Sequence, residues 1–323
     1  MANGQGAALG RARRLWIIHG TALYYLVSAS PHYGAGRITT QYGSGTFLTH
    51  TQKLLYAGLI ESSPCVDLFA NFSPIREEPM NAIENSPLTQ KLSAFVALSK
   101  EEMAVLERLH QCRRIFIAGR DLVYQGQSEH AAYILAAGWV CSYKILPDGS
   151  RQVVDFQIPG DFLGLRSILL RTSDHAFEPI IDIQAAEVLA GDLLEAFAQT
   201  PRLATAILWA ASRDEAMVVE HLVGVGRRAA DERMAHFLLE LGSRLALVGL
   251  GTKAGYACPL TQYHLADALG LSAVHVNRVL RQLRESGLVT FRNSQVAFDD
   301  YDGLVELAGF DPAYLDQTGP LFK

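Results

Sequence analysis

Two helix starts separated by a single glycine constrain this chain more than any other feature of its 323 residues. Thr261 has the chemistry of an N-cap, and Leu265, Ala266 and Leu269 follow at the three-and-four spacing of a buried helix stripe. Gly270 permits the left-handed backbone that ends a helix tightly. Ser272 then caps a second helix, with Val276, Val279, Leu280 and Leu283 as its apolar stripe. The small side chain of Ala266 lets the two helices cross closely, so the spacing predicts a helix-turn-helix. Segments 288–292 and 295–298 alternate apolar and polar residues about Asn293-Ser294, which predicts a β-hairpin wing.

The second helix leaves Ala273, His275, Asn277, Arg278 and Arg281 on its surface. In a helix-turn-helix the N-terminal half of this helix enters the major groove, where Arg reads guanine and Asn reads adenine. Thr261, Gln262 and Ser272 at the two helix starts complete the candidate DNA-binding set. The chain carries a net charge of −5, but a DNA-binding face needs only local positive charge. Between 259 and 292 four arginines face two acidic residues, Asp267 and Glu285. A helical hairpin with a solvated basic face is the plainer alternative; cap, turn, second cap and polar face in one register argue against it.

Upstream, Ser99 and Glu102 have the spacing of a capping box, and Met103, Leu106 and Leu109 continue a helix. The period then switches to two. Segments 114–117, 121–124, 131–137, 139–145 and 152–158 read as short strands separated by glycine- and proline-bearing turns, and 180–190 adds the last strands. Such a series predicts an antiparallel β-barrel or jelly roll. From Pro201 the chain is helical, with Thr200 placed to cap. Leu208, Ala211, Glu215, Val218, Leu222 and Val225 follow the three-four alternation of a two-stranded coiled coil, which predicts a homodimer seam; packing on the helix's own domain is the other reading. A further amphipathic helix covers 231–247. The fold class expected is therefore α+β, with an extension over 1–79, a barrel domain over 80–200, a long dimerisation helix over 201–226, a winged helix-turn-helix over 227–310 and a tail over 311–323.

The first 79 residues show no sustained period and few charges, and the character of the sequence changes at Met80, the first methionine after Met1. Either this is an unfamiliar extension or translation starts at Met80; the second reading is preferred. Segment 15–30 superficially resembles a signal peptide, but His19, Gly20, Tyr24 and Tyr25 interrupt it, and it is too short and polar to span a membrane. Cys65, Cys112, Cys141 and Cys258 are scattered, with no C-x-x-C, so neither a local iron–sulfur or zinc cluster nor a disulfide framework is expected. A cytoplasmic protein with no membrane partner follows.

The order of barrel, long helix and winged helix-turn-helix resembles the Crp/Fnr family of bacterial regulators over about residues 86–307. The stretch 160–164 (Gly-Asp-Phe-Leu-Gly) and segment 271–288 carry the resemblance most specifically. It implies a homodimer on a pseudo-palindromic site, half-sites about one helical turn apart, and RNA polymerase as a further partner. Arg278 matches the family's base-reading arginine. Val274 stands where many members place Glu, and Ala273 where some place Arg. Valine cannot accept a hydrogen bond from cytosine, so a different half-site is expected.

In cyclic-AMP-binding members the Gly-Asp-Phe-Leu-Gly stretch leads to a Glu that holds the ribose and an Arg-Ser whose Arg pairs with the phosphate. Here Leu165 and Arg166 follow Gly164, and 174–179 reads Asp-His-Ala-Phe-Glu-Pro. Both partners are missing from their places, so cyclic AMP is not expected. The candidate effector pocket is Gly160, Asp161, Phe162, Gly164, Arg166 and His175. No iron–sulfur cluster, other cofactor or metal is expected. His110 and His175 read as surface or packed histidines before haem ligands, and a redox switch at Cys258 is a minor alternative. Two readings stay open: a signal at the barrel domain sets the activity, or DNA is bound without an effector.

A competing class is a ligand-binding regulatory subunit whose helical tail docks a protein partner. An enzyme is the weaker one: there is no phosphate-cradling glycine loop, no G-x-S-x-G and no metal-spaced His/Cys set.

Overall fold

The computed structural model describes residues 12–18, 21–27, 85–128 and 130–315, and the chain divides into two compact units, Met1–Arg76 and Glu77–Lys323. In the first unit the described residues form a hairpin of β1 (Ala12–Ile18) and β2 (Thr21–Val27), paired from Ala12↔Val27 to Ile18↔Thr21. The period-based reading of this segment missed it, because consecutive apolar residues in both strands hide any alternation. The two-residue connection containing Gly20 was the usable signal. Met80, the expected point of change, lies outside the described residues.

The second unit opens with α1 (Pro87–Ser93), capped by Ser86, and α2 (Lys100–His110), where Ser99 and Glu102 form the predicted capping box. Seven short strands follow: β3 (Arg113–Phe116), β4 (Ala132–Ala137), β5 (Val140–Ile145), β6 (Arg151–Gln157), β7 (Phe162–Leu163), β8 (Ala176–Pro179) and β9 (Ile183–Val188). They form two antiparallel sheets, ordered β3-β9-β4-β7 and β6-β5-β8. Tyr133, Leu135, Leu163, Ile183 and Ala185 of the first sheet meet Val140 and Phe177 of the second in a shared core. The strands thus make a two-sheet jelly-roll-like domain and do not close into a barrel. Two strand expectations change. Segment 121–124 contributes only a bridge from Val123 to Phe177, and part of 174–179 supplies β8.

Helix α3 (Ala190–Gln199) leads into the 27-residue α4 (Pro201–Arg227). Thr200 does not cap α4 through its side chain; its hydroxyl donates to Ala196 O at 2.7 Å and so ties back to α3. One face of α4 buries Leu203, Ile207, Trp209, Ala210 and Met217. Next come α5 (Ala230–Leu247), β10 (Gly251–Thr252), β11 (Gly255–Ala257), α6 (Gln262–Leu269), α7 (Ala273–Glu285), β12 (Val289–Arg292), β13 (Gln295–Phe298) and α8 (Tyr301–Ala308). The wing hairpin turns through Asn293 and Ser294, both left-handed at φ 50° and 55°, as a two-residue primed turn requires. A 3₁₀ turn, Pro312–Leu315, buries Leu315, so the packed chain continues past the domain end expected at 310.

A continuous core joins the two halves of this unit. Trp139, Cys141, Tyr143 and Phe156, from the β6-β5-β8 sheet and its edge, cluster with Met217 of α4 and with Phe237, Leu241, Leu265 and Val276 of the C-terminal helices. Among the described residues no helix is long and apolar enough to cross a membrane.

Candidate nucleic-acid interface

The α6–α7 pair is built by local chemistry. Thr261 Oγ1 accepts from His264 N–H at 3.3 Å, and His264 Nδ1 accepts from Thr261 N–H at 3.1 Å, a capping box with histidine in the usual Glu position. Gly270 ends α6 at φ 62°, where any Cβ would be strained, and Leu271 N–H returns to Ala266 O at 3.1 Å. Two residues on, Ser272 Oγ accepts from His275 N–H at 3.2 Å and starts α7. Val276, Val279 and Leu283 bury the inner face of α7, and Ala266 is buried at the crossing.

The outer face of α7 presents Val274, Asn277, Arg278 and Arg281, spaced so that all four look the same way. Arg278 Nη2 lies 2.9 Å from His275 Nε2, and among the described residues this is the hydrogen bond found for its guanidinium. The half-buried His275 therefore orients Arg278 and leaves most of its donors free. Thr261, Gln262 and Ser272 are exposed beside this face. Ala273 departs from the set: it is half-buried against the domain core. The sequence-derived set also lacked three exposed residues, Val274, Tyr263 and Gln282. Helical spacing from Arg278 would have found Val274 and Gln282, at minus four and plus four.

Helix α4 shows the exposure expected of a seam. Leu208 is 65% exposed and Leu222 72%, with Val225 also exposed and Ala211 and Val218 half-buried. Val219 and Val223, outside the heptad positions, extend the apolar surface.

Ala211 and Val218 also border a cleft lined by Phe162, Gly164, Arg166 and His175, beside Asp155 and Asp214. Two residues of the candidate effector pocket lie elsewhere. A Cβ on Gly160 would stand 2.8 Å from the Pro87 carbonyl, so this glycine lets α1 approach the sheet. Asp161 is buried and bound to Lys91 Nζ at 2.7 Å and Arg244 Nη2 at 2.9 Å. Although its burial opposes ionisation, Lys91 and Arg244 hold the carboxyl down at about 2. His175 Nδ1 meets Asp174 at 2.6 Å, and burial lowers its pKa despite that carboxylate. Burial likewise lowers His110 to about 4, with Arg113 adding to the effect. The Cys258 thiol is fully buried and pushed up to about 12 by desolvation, the opposite of a reactive thiolate, which removes the basis for a redox switch there.

Asp161 belongs to a charge web that no local spacing announces. Arg244 of α5 also donates to Asp155 Oδ1 at 2.9 Å and Phe156 O at 2.8 Å. His221 of α4 faces Glu240 Oε1 at 2.8 Å through Nε2 and Val154 O at 3.2 Å through Nδ1. Both ring nitrogens meet acceptors, which calls for the doubly protonated ring. Burial opposes that charge, but Glu240 and Asp155 raise His221 to about 9. Among the described residues Asp155, His221 and Glu240 place three potential ligand atoms within 4.8 Å of one another, but Arg244, Tyr314 and Val154 O already engage them as an ion-pair node. A second tie joins the sheet to α6: Arg151 bridges Glu178 and Asp267, each at 2.7 Å.

Residues 232–307 match the family described as Crp-like helix-turn-helix domain, and 113–207 match the cyclic nucleotide-binding domain. The chain is 31% identical to the nitrogen fixation regulation protein FixK of Bradyrhizobium diazoefficiens, over 64% of this chain and 87% of that protein. It is 24% identical to the anaerobic regulatory protein of Haemophilus influenzae, over 66% of this chain and 82% of the other. The solved structure of FixK2 from Bradyrhizobium japonicum superposes with a TM-score of 0.55 at 28% identity, covering 60% of this chain and 96% of that one.

Proposed function

Because the chain belongs to the Crp/Fnr family of DNA-binding transcription regulators, we propose that it works as a homodimer on a pseudo-palindromic duplex, α7 of each copy reading one half-site. The observation that carries this is the outer face of α7, where Asn277, Arg278 and Arg281 stand exposed on a helix capped by Ser272 and buried on its inner face through Val276, Val279 and Leu283. Arg278 is the specifying residue, its fork suited to guanine O6 and N7, and Arg281 with the wing's Arg292 supplies backbone contacts. The apolar strip of α4 holds the two copies together. These regulators are not enzymes, and the docking-subunit alternative does not survive the family assignment.

Three finer points belong to this reading. RNA polymerase is a partner, supported by relatives named as transcriptional activators. The protein acts in the cytoplasm, where its DNA target lies. It binds DNA without cyclic AMP or another cofactor. In support, the cleft residues after Gly164 are Leu165 and Arg166, and two carboxylates, Asp155 and Asp214, face the space an anion would enter.

Selection from a random duplex library, with the full chain and its Arg278→Ala variant, tests the proposal. The wild type should enrich an inverted repeat with half-sites about 10 base pairs apart, and the variant should enrich no sequence. Retained discrimination by Arg278→Ala would refute the assignment.

A further inference from the structure

Val274 is 82% exposed, more than any other large apolar side chain that the structure describes. It sits in the first turn of α7, directly behind the Ser272 cap, and shares its face with Asn277, Arg278 and Arg281. A branched aliphatic group there does nothing for the free protein. Little of its surface is covered in the free protein, and valine is a poorer helix former than the straight-chain polar residues. Its surface becomes favourable only when a partner removes it from water.

The partner facing this helix determines what valine can recognise. In the major groove the apolar group on a base edge is the C5-methyl of thymine. Cytosine offers an amino donor there, adenine a donor and an acceptor, and guanine two acceptors. Val274 can pair with none of those groups, and covering one strips its water without replacement. Resting on the DNA reading above, we propose that Val274 is a specificity-determining residue that reads a thymine methyl at one base pair of each half-site. The basic residues of the face hold the duplex close enough for that contact, and the valine chooses among the bases.

The test removes a methyl group and nothing else. The half-site enriched by the full chain is resynthesised with deoxyuracil replacing thymine at one position at a time. For the wild type, one position per half-site should show about a fourfold loss of affinity, the worth of one buried methyl. In Val274→Ala that loss should shrink to within about twofold, while preferences at the other positions persist. A repeated selection with Val274→Glu should exchange thymine for cytosine at that same position, since a carboxylate accepts from the cytosine amino group. A uracil penalty unchanged in Val274→Ala, or a selected half-site unaltered by Val274→Glu, overturns the proposal. Failure of the DNA reading itself has a different signature, namely the same half-site enriched by Arg278→Ala as by the wild type. Thermal melts of the exposed-site variants should match the wild type, so lost binding is not lost folding.

Discussion

Arg244 and Arg278 carry the same side chain to opposite ends. Arg244 is 4% exposed and spends its donors inside the protein, on Asp155, Asp161 and the Phe156 carbonyl. Arg278 stands exposed on α7, with the half-buried His275 as the partner found for its guanidinium. The first joins three parts of the fold: the β6-β5-β8 sheet, the loop that packs on α1, and α5 of the DNA-binding half. The second is held in position and left with unused donors. A positive charge is available to an anionic partner only where the fold has not already neutralised it, and the two residues show both cases within one unit. The contrast also separates what each should do when removed.

Arg244→Ala should have the largest effect on folding. Removing the guanidinium strands the buried carboxylate of Asp155 and leaves Asp161 with Lys91 alone, at a loss of about 3–5 kcal/mol. Urea melts should show it, and a variant that melts like the wild type would break the contrast. Arg278→Ala should move the melt by no more than about 0.5 kcal/mol, as surface substitutions do, while erasing sequence selection.

Leu222→Arg sharpens the comparison from the dimer side, since it places a charge on the exposed strip of α4 without touching either arginine. It should weaken self-association by roughly two powers of ten, because the charge loses water where the copies meet. Light scattering would then show monomer at micromolar protein, with the melt of the isolated chain little changed. A persistent dimer would move the seam away from this strip.

A graded effect, read as a slope and not as a loss, is expected with pH. His221 titrates near 6.5 when unfolded and at about 9 in the fold. Its pairing with Glu240 therefore stabilises fully below about pH 6.5, and the contribution is lost as pH climbs through about 9. The wild type should lose thermal stability across that window, and His221→Gln should lose less. Equal slopes for the two proteins would show that the ring does not carry the charge assigned to it.

The two regions also differed in how far the sequence disclosed them. The reading helix was legible because its signals are local: Thr261, Gly270 and Ser272 stand within twelve residues and each acts on its immediate backbone. Val274 was visible as a departure from the family's Glu and lies one turn before Arg278, and its exposure places it on the reading face. The charge web was not legible. Lys91, Asp155, Asp161, Asp214, His221, Glu240 and Arg244 come from three helices and two parts of the sheet domain, with no repeating interval. Asp161 was accordingly placed in an effector pocket, when its oxygens face Lys91 and Arg244. Segment 121–124 failed as a strand for a related reason, since pairing depends on a distant partner, and Val123 finds one only at Phe177.

The most direct test of a homodimer reading two half-sites is the affinity of the full chain for its selected duplex before and after a five-base-pair insertion at the centre. The insertion turns one half-site about half a helical turn around the duplex, out of reach of the second α7. The account predicts that affinity falls to the level of an unrelated duplex at the same salt concentration. Affinity unchanged by the insertion would contradict it.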